Sequence, residues 1–344
     1  VPRDNDVTAT GDAMRYTPFP RSGDSISKLG FGAMGFAGWF GADKESDWID
    51  SLLYALDQGV SFVDTARAYG DSERIVGKAL RQWSGKRPFV ASKIEQLAGQ
   101  RGWGTPVDPE RAHPPGHIRA SALRSLSELG LDYLDLIQLH IWWPTWDVRG
   151  HWMEELQQLK QDGVVKYVGI SIPDHRSDMA LALVESGLID SVQTILNIFD
   201  PIALDNLVPA CQKHDVAVVA RCALDEGGLT GSLSEDTVFD ENDFRHGYFD
   251  DIVPRSVYLE KVEALRQYVP DHASSLAALA LKFVTQPAGV TTAITSMHVR
   301  EYCQANIAAL EEPALPAEIF DLLRFKHRFI KNFNETKIFR EYRQ

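Results

Sequence analysis

Cysteine is scarce in this 344-residue chain: Cys211, Cys222 and Cys303 are the only three. An odd number, far apart and in no metal-type spacing, excludes a disulfide framework and a cysteine-built zinc site. Reduced thiols filling small places in a core are the expectation. Basic charge is also short. With 35 Lys and Arg against 48 Asp and Glu the formal net charge is −13, so a nucleic acid or an anionic membrane would meet a repelling surface. Long apolar runs are missing as well: none approaches the roughly 20 residues of a membrane span. The opening VPRDNDVTATGDA is too polar for a secretory leader or an anchor. These absences point to a cytoplasmic protein whose partner is a small molecule, with no nucleic acid and no membrane. No metal is expected either. His113 and His117 are split by Pro114-Pro115-Gly116, so no helical turn aligns them, and they read as a solvated loop.

What the chain does have is enough apolar residues, 44%, for a large core, and 24% charged residues for its surface. Residues 1–13 read as a flexible arm and 14–344 as one domain. The segment 14-MRYTPFPRSGDSISKLGFGAM-34 opens with short β-type pieces meeting at the turn cluster Arg21-Ser-Gly-Asp24, an N-terminal hairpin. Eight β-branched runs follow: SKLGFGAM, VSFVDTA, RPFVASKI, LDLIQLH, KYVGISI, DSVQTIL, VAVVARC and TTAITS. Amphipathic helix patterns lie between them at 47–59, 117–130, 153–163, 176–187 and 203–214. Strands apolar on both faces, alternating with helices, suit a parallel sheet clothed by helices. Eight such units close into a (β/α)8, or TIM, barrel. A doubly wound open sheet fits less well: 30-GFGAMGFAGWFG-41 has glycines, but no helix starts on the third, and no acidic ribose partner follows in register. Two Gly-rich intervals, 95–116 and 225–256, are extended loops of the kind that carry function.

Alternation along a strand puts Phe62 with Asp64, Ala91 with Lys93, and Gln138 with His140 on shared faces. The charged or titratable member always comes last. Consecutive strands about 4.8 Å apart would set Asp64 beside Lys93 and Lys93 beside His140, with Tyr69 above them from the next loop. Active sites of this fold sit at that C-terminal end. A tyrosine becomes a strong acid catalyst if its pKa falls from about 10 toward about 7 or 8, worth roughly 3–4 kcal/mol. A cation about 4 Å away supplies about 1 kcal/mol in water and about 4 kcal/mol at an effective dielectric near 20. Lys93 is therefore effective only in a partly dry pocket, where Asp64 keeps it protonated.

At these residues the chain resembles the aldo-keto reductase superfamily: DTARAYGDSE carries the family's Asp and Tyr, ASKI its Lys and DLIQLH its His. The resemblance runs from Met14 to about Leu310 through 169-GIS-171, 192-VQ-193, 221-RCALDEGGLTG-231 and 306-NIAAL-310. It implies a carbonyl reductase in which Tyr69 is general acid, or base in the reverse direction. Asp64 and Lys93 tune Tyr69, and His140 orients the carbonyl. It further implies a nicotinamide dinucleotide along Gly32, Met34, Asp64, Ser171, Gln193, Arg221, Leu224, Asp225, Gly228, Leu229, Gly231, Ser296, His298, Tyr302 and Asn306. There are departures. Ile172 stands where the family has an Asn, and Arg221 where many members stack a tyrosine on the nicotinamide ring. Ser296, Met297 and Tyr302 replace the usual 2′-phosphate partners, with His298 and Arg300 as substitutes at a helix N-terminus. NADP(H) is expected rather than NAD(H).

Aromatic residues crowd the loops of the catalytic end: Trp39 and Phe40, Trp103, then Trp142, Trp143 and Trp146 after His140. With Tyr69 and His140 they would form the walls of a pocket for a bulky sugar-like or aromatic carbonyl compound. Two other functions use the same residues. Lys93 as a Schiff-base nucleophile would make a lyase, and a dinucleotide-binding regulatory subunit would bind cofactor with little turnover.

Overall fold

The computed structural model describes residues 14–40, 44–97, 106–241, 243–250 and 253–330. The arm expected at 1–13 and Trp103 lie outside the described residues. A small antiparallel sheet pairs β1 (Tyr16–Pro18) with β2 (Ser25–Ser27). Next come β3 (Leu29–Gly32), β4 (Phe62–Asp64), β5 (Phe89–Ile94), β6 (Leu134–Leu139) and β7 (Val165–Ser171). The last three are β8 (Ser191–Ile195), β9 (Ala217–Arg221) and β10 (Thr292–Ser296). They close in chain order into a parallel barrel, β10 returning to β3. Each barrel strand falls within one of the eight β-branched runs except β7, which starts one residue ahead of its run, at Val165.

The helices clothe the barrel because each presents one apolar stripe to strands that are buried on both faces. Glu45–Asp57 turns in Trp48, Ile49, Leu52 and Leu56, and His117–Leu129 turns in Ile118, Ala122 and Leu129 before Gly130 ends it in a left-handed conformation. The pattern expected at 176–187 divides into a 3-10 turn, Ser177–Ala180, and a short helix, Leu181–Glu185. Nor is the interval 225–256 simply a loop: it folds into the helical turns Asp225–Thr230 and Arg245–Asp250 and the start of helix Arg255–Glu263.

Inside the barrel the lower layers are apolar. Phe62, Phe89, Ala91, Leu136, Ala217, Val219 and Ile294 pack there, and the hairpin drives Phe19 and Ile26 into the same cluster. The Phe19 ring lies 4.9 Å from Phe89 and 4.7 Å from Tyr167. Arg21, at the hairpin turn, fastens this plug by donating to the carbonyls of Gly187, Ile189 and His214 at 3.1, 3.1 and 2.7 Å. The N-terminal end of the lumen is therefore stoppered with aromatic rings. The ion pair of Asp64 and Lys93 lies at the opposite end.

Truncating the stopper should cost stability and leave the far end alone. Phe19→Ala is expected to destabilise by about 3–5 kcal/mol in urea unfolding, with ligand affinity at the C-terminal face unchanged.

Candidate active site

β4 ends on Asp64, and its register sets Asp64 opposite Ala91, two residues before Lys93 on the same face of β5. The chain leaving β4 runs along β5: Thr65 N–H donates to Ala91 O at 2.9 Å and Arg67 N–H to Lys93 O at 3.2 Å. Tyr69 N–H then closes a turn on Ala66 O at 3.1 Å. Buried Glu73 locks this turn, accepting from Ser92 Oγ at 2.6 Å and pairing with Arg67. That accounts for the sequence DTARAYGDSE. It hangs one phenol over one ammonium: Lys93 Nζ lies 4.9 Å from the Tyr69 ring centroid.

Lys93 is fully buried, donates to Asp64 Oδ1 and reaches Thr65 O at 3.0 Å. Gln193 Nε2, from β8, takes the other carboxylate oxygen of Asp64 at 3.0 Å. His140 follows β6, its N–H on Ile94 O at 2.9 Å, and meets the Tyr69 ring edge-on at 5.6 Å between centroids. Trp39 stands edge-on to the same ring at 6.2 Å. Asp64, Tyr69, Lys93 and His140 thus gather from three strands and one turn.

Burial pulls the Lys93 pKa down, but the charge of Asp64 and the hydrogen bond to it outweigh burial and leave the ammonium above the ordinary lysine range. Burial lifts Asp64, against the attraction of Lys93. His140 is held well below its usual value by burial and then by the cations Lys93 and Arg221, so its imidazole is neutral. Tyr69 departs from expectation. Burial raises its pKa, Asp64 adds to the rise, and Lys93 with Arg221 only partly reverse it. The phenol is a protonated acid in the ligand-free protein, because desolvation of a phenolate outweighs one paired cation.

Beside this cluster Ser171 stands in register with Gln193, and Ile172, in the family's Asn position, is fully buried. Arg221 ends β9, donates to Ile172 O at 3.2 Å and pairs with Asp174 at 2.5 Å. Its Nε is buried with no hydrogen-bond partner. Beyond it Cys222, Asp225 and Glu226 all have left-handed backbone, with φ of 54°, 47° and 55°. Such conformations cost about 1–3 kcal/mol each and gather at functional segments. Across the mouth, helix Arg300–Glu311 begins at Val299 with no side-chain cap, so its first N–H groups are open to an anion. Ser296 Oγ lies 2.9 Å from His298 Nδ1, and the Arg300 guanidinium sits 4.5 Å from the Tyr54 ring centroid. Gly35 lets the chain after β3 press against His298; a Cβ there would fall 2.4 Å from Nδ1. An anion-ready helix end, amide and hydroxyl donors at Gln193 and Ser171, and an orphaned guanidinium N–H fit the two ends of a dinucleotide.

The family model described as the Aldo/keto reductase family matches residues 28–326. The chain belongs to this family. An NADH-specific methylglyoxal reductase of Escherichia coli (strain K12) is 25% identical over 313 residues, 86% of this chain and 94% of that protein. Among solved structures, the holo form of an aldo-keto reductase from Bacillus halodurans gives a TM-score of 0.69 at 26% identity, covering 94% of this chain and 99% of its own. A glycerol dehydrogenase from Gluconobacter oxydans gives 0.74 at 25% identity over 92% and 97% of the two chains.

Several expected contacts of this aldo-keto reductase lie elsewhere than at an open mouth. Trp142 and Trp143 are 1% and 3% exposed, and Trp142 packs near Trp152, which also meets Trp146. Trp142 is therefore a packing residue, not an open wall. Phe40 meets His298, Phe244 and the Arg245 guanidinium. Of the expected rings, Trp39 and Tyr69 stay half-exposed at the tetrad. The Asp225 carboxylate accepts the hydroxyls of Tyr248 and, at 2.7 Å, Tyr258. Leu229 is buried in the core with Leu224 packed against it, and Gly228 makes room for the Tyr258 hydroxyl. Gly32 pairs with Ser296, Met34 is half-buried, and Gly231 turns the chain at φ 79°. Tyr302 is 55% exposed, and buried Asn306 donates to Thr295 Oγ1 at 3.2 Å. Cys211 and Cys303 are core residues as expected, but Cys222 is only partly buried and donates to Glu226 at 3.0 Å. Sequence reasoning missed Asp174, Glu73 and the Gln193–Asp64 bond. The first two carry no local signal, since their partners are distant in the chain or fixed by the turn.

His113 is not in a solvated loop. It is fully buried, its ring stacks on His117 at 5.7 Å, and neither ring nitrogen has a partner. Burial, with the neighbouring His117 and His151, brings its pKa down to about 3. The unfolded chain binds a proton there near pH 6.5, so stability rises with pH between those values and is lost in acid. His113→Phe should reduce the stability loss between about pH 7 and pH 4.5 by roughly 2 kcal/mol, measured by urea unfolding at both values.

Proposed function

We propose that this aldo-keto reductase reduces a carbonyl compound at the expense of a nicotinamide dinucleotide, with Tyr69 as the proton donor. The observation that carries the reading is the fully buried Lys93, held by Asp64 and lying 4.9 Å from the Tyr69 ring centroid. A charge so costly to bury is spent on one phenol. When bound, the nicotinamide supplies hydride. Neutral His140 donates an N–H to the carbonyl oxygen and fixes its direction. Tyr69, protonated beforehand, passes its proton to the alkoxide as charge develops. Lys93 and Arg221 then stabilise the phenolate that remains. In the oxidative direction that phenolate is the base.

Lys93 is unsuited to Schiff-base chemistry, because its nitrogen is buried, doubly hydrogen-bonded and kept charged by Asp64. Ser171 and Gln193 would hold the carboxamide, Arg221 would take over the donor lost at Ile172, and the open N-terminus of Arg300–Glu311 would meet phosphate. With His298 and Arg300 at that end, NADP(H) is the form we assign. Trp39, edge-on to Tyr69, supports a sugar-like or aromatic carbonyl as substrate. Methylglyoxal and glycerol belong in the same panel, since relatives act on them.

Tyr69→Phe should leave dinucleotide affinity within about twofold of the parent and cut carbonyl reduction by roughly 100-fold or more, read at the reduced-cofactor absorbance. An undiminished rate would remove Tyr69 from its role. Tight dinucleotide binding by the parent protein with no turnover on the panel would favour a regulatory subunit instead.

A further inference from the structure

The mouth of the barrel holds a second ion pair, Arg221–Asp174, whose guanidinium also faces Tyr69. The Arg221 and Asp174 side chains are 17% and 30% exposed, so the guanidinium is the deeper partner. It is fixed from several sides: Asp174 and Ile172 O accept from Nη2, and Cys222 Sγ lies 3.4 Å from Nη1. Ile172 directly follows Ser171, which is in register with Gln193, which in turn holds Asp64. The charge of Arg221 reaches Asp64, Tyr69 and His140. A hydride donor serving Tyr69 and His140 has to lie among these same groups. Its ring is neutral when reduced and cationic when oxidised. A fixed guanidinium opposes the cationic form, and a carboxylate bound to the guanidinium weakens that opposition.

Resting on the cofactor reading above, we propose that the Arg221–Asp174 pair sets the ratio of affinities for oxidised and reduced nicotinamide dinucleotide. Asp174 is the positioning residue that holds Arg221 and compensates its charge. The pair discriminates by charge, not shape, so it acts on the cationic oxidised ring and leaves the neutral reduced ring nearly untouched.

Fluorescence titrations with NADP+ and NADPH, and with NAD+ and NADH, test this on the parent, Asp174→Asn, Arg221→Gln and the double variant. Asp174→Asn exposes the cation, and the ratio of Kd for oxidised over reduced cofactor should rise about tenfold. Arg221→Gln leaves the carboxylate unopposed, and the ratio should fall by about as much. The double variant and the charge-conserving Arg221→Lys should stay near the parent ratio. Ratios unchanged within about twofold in both single variants overturn the proposal, even if every Kd weakens, because lost packing penalises both redox forms alike. Failure of the parent protein to bind either dinucleotide overturns the cofactor reading itself, and the proposal with it.

Discussion

A lysine ammonium with no exposure to water, bound to a carboxylate that is equally buried, is the interaction around which the rest of the site is arranged. Desolvating two such ions costs several kcal/mol each, about what their mutual attraction returns only if every remaining valence is met. Here the valences are met by name. Thr65 O takes a second ammonium proton, and Gln193 takes the second carboxylate oxygen. Each donor or acceptor comes from a different place in the barrel, so the pair exists only when β4, β5 and β8 are in register. That links the proposed chemistry to the fold.

The charges at the mouth come close to cancelling. Lys93 faces Asp64, Arg221 faces Asp174, and His140 is neutral. Burial also lifts the Glu226 carboxyl and the Cys222 thiol toward their protonated forms. In such a place no single cation pulls a proton from Tyr69, and the phenol stays protonated. For the reduction proposed above, a phenol acidified in advance would have lost the proton it has to give. The raised Tyr69 pKa therefore suits a donor in the reductive direction, where the driving force is the alkoxide formed beside it.

Legibility in the sequence followed the range of the interactions. The eight strands were readable because each is a short β-branched run, and Asp64, Lys93 and His140 because the alternation of side chains fixes which face a strand residue takes. Tyr69 was placed by its distance from Asp64. What the sequence hid was burial and pairing. Trp142 and His113 look alike as loop residues and as core residues until the 106–116 and 141–152 segments fold onto each other, Trp146 donating to Val107 O at 2.6 Å and His151 lying 2.6 Å from His113 O. Asp174 and Arg221 are 47 positions apart, and no period connects them. The pKa of Tyr69 was misjudged for a related reason: its sign depends on desolvation, a property of the whole pocket and not of a neighbour.

The two ends of the barrel show why the polar residues are where they are. Phe19, Phe62, Phe89 and Ile26 fill the lower lumen with groups that have no polar valence to satisfy, and Arg21 seals the plug from outside by taking backbone carbonyls. An ion placed in those layers would have no partner. At the other end the strands stop, and the turns that follow bring carbonyls and side chains back over the lumen, as Thr65 does for Lys93. Left-handed backbone occurs there too, at Cys222, Asp225 and Glu226, where the Asp225 carboxylate accepts the hydroxyls of Tyr248 and Tyr258. Asp64 and Lys93, by contrast, are held by bonds among β4, β5 and β8.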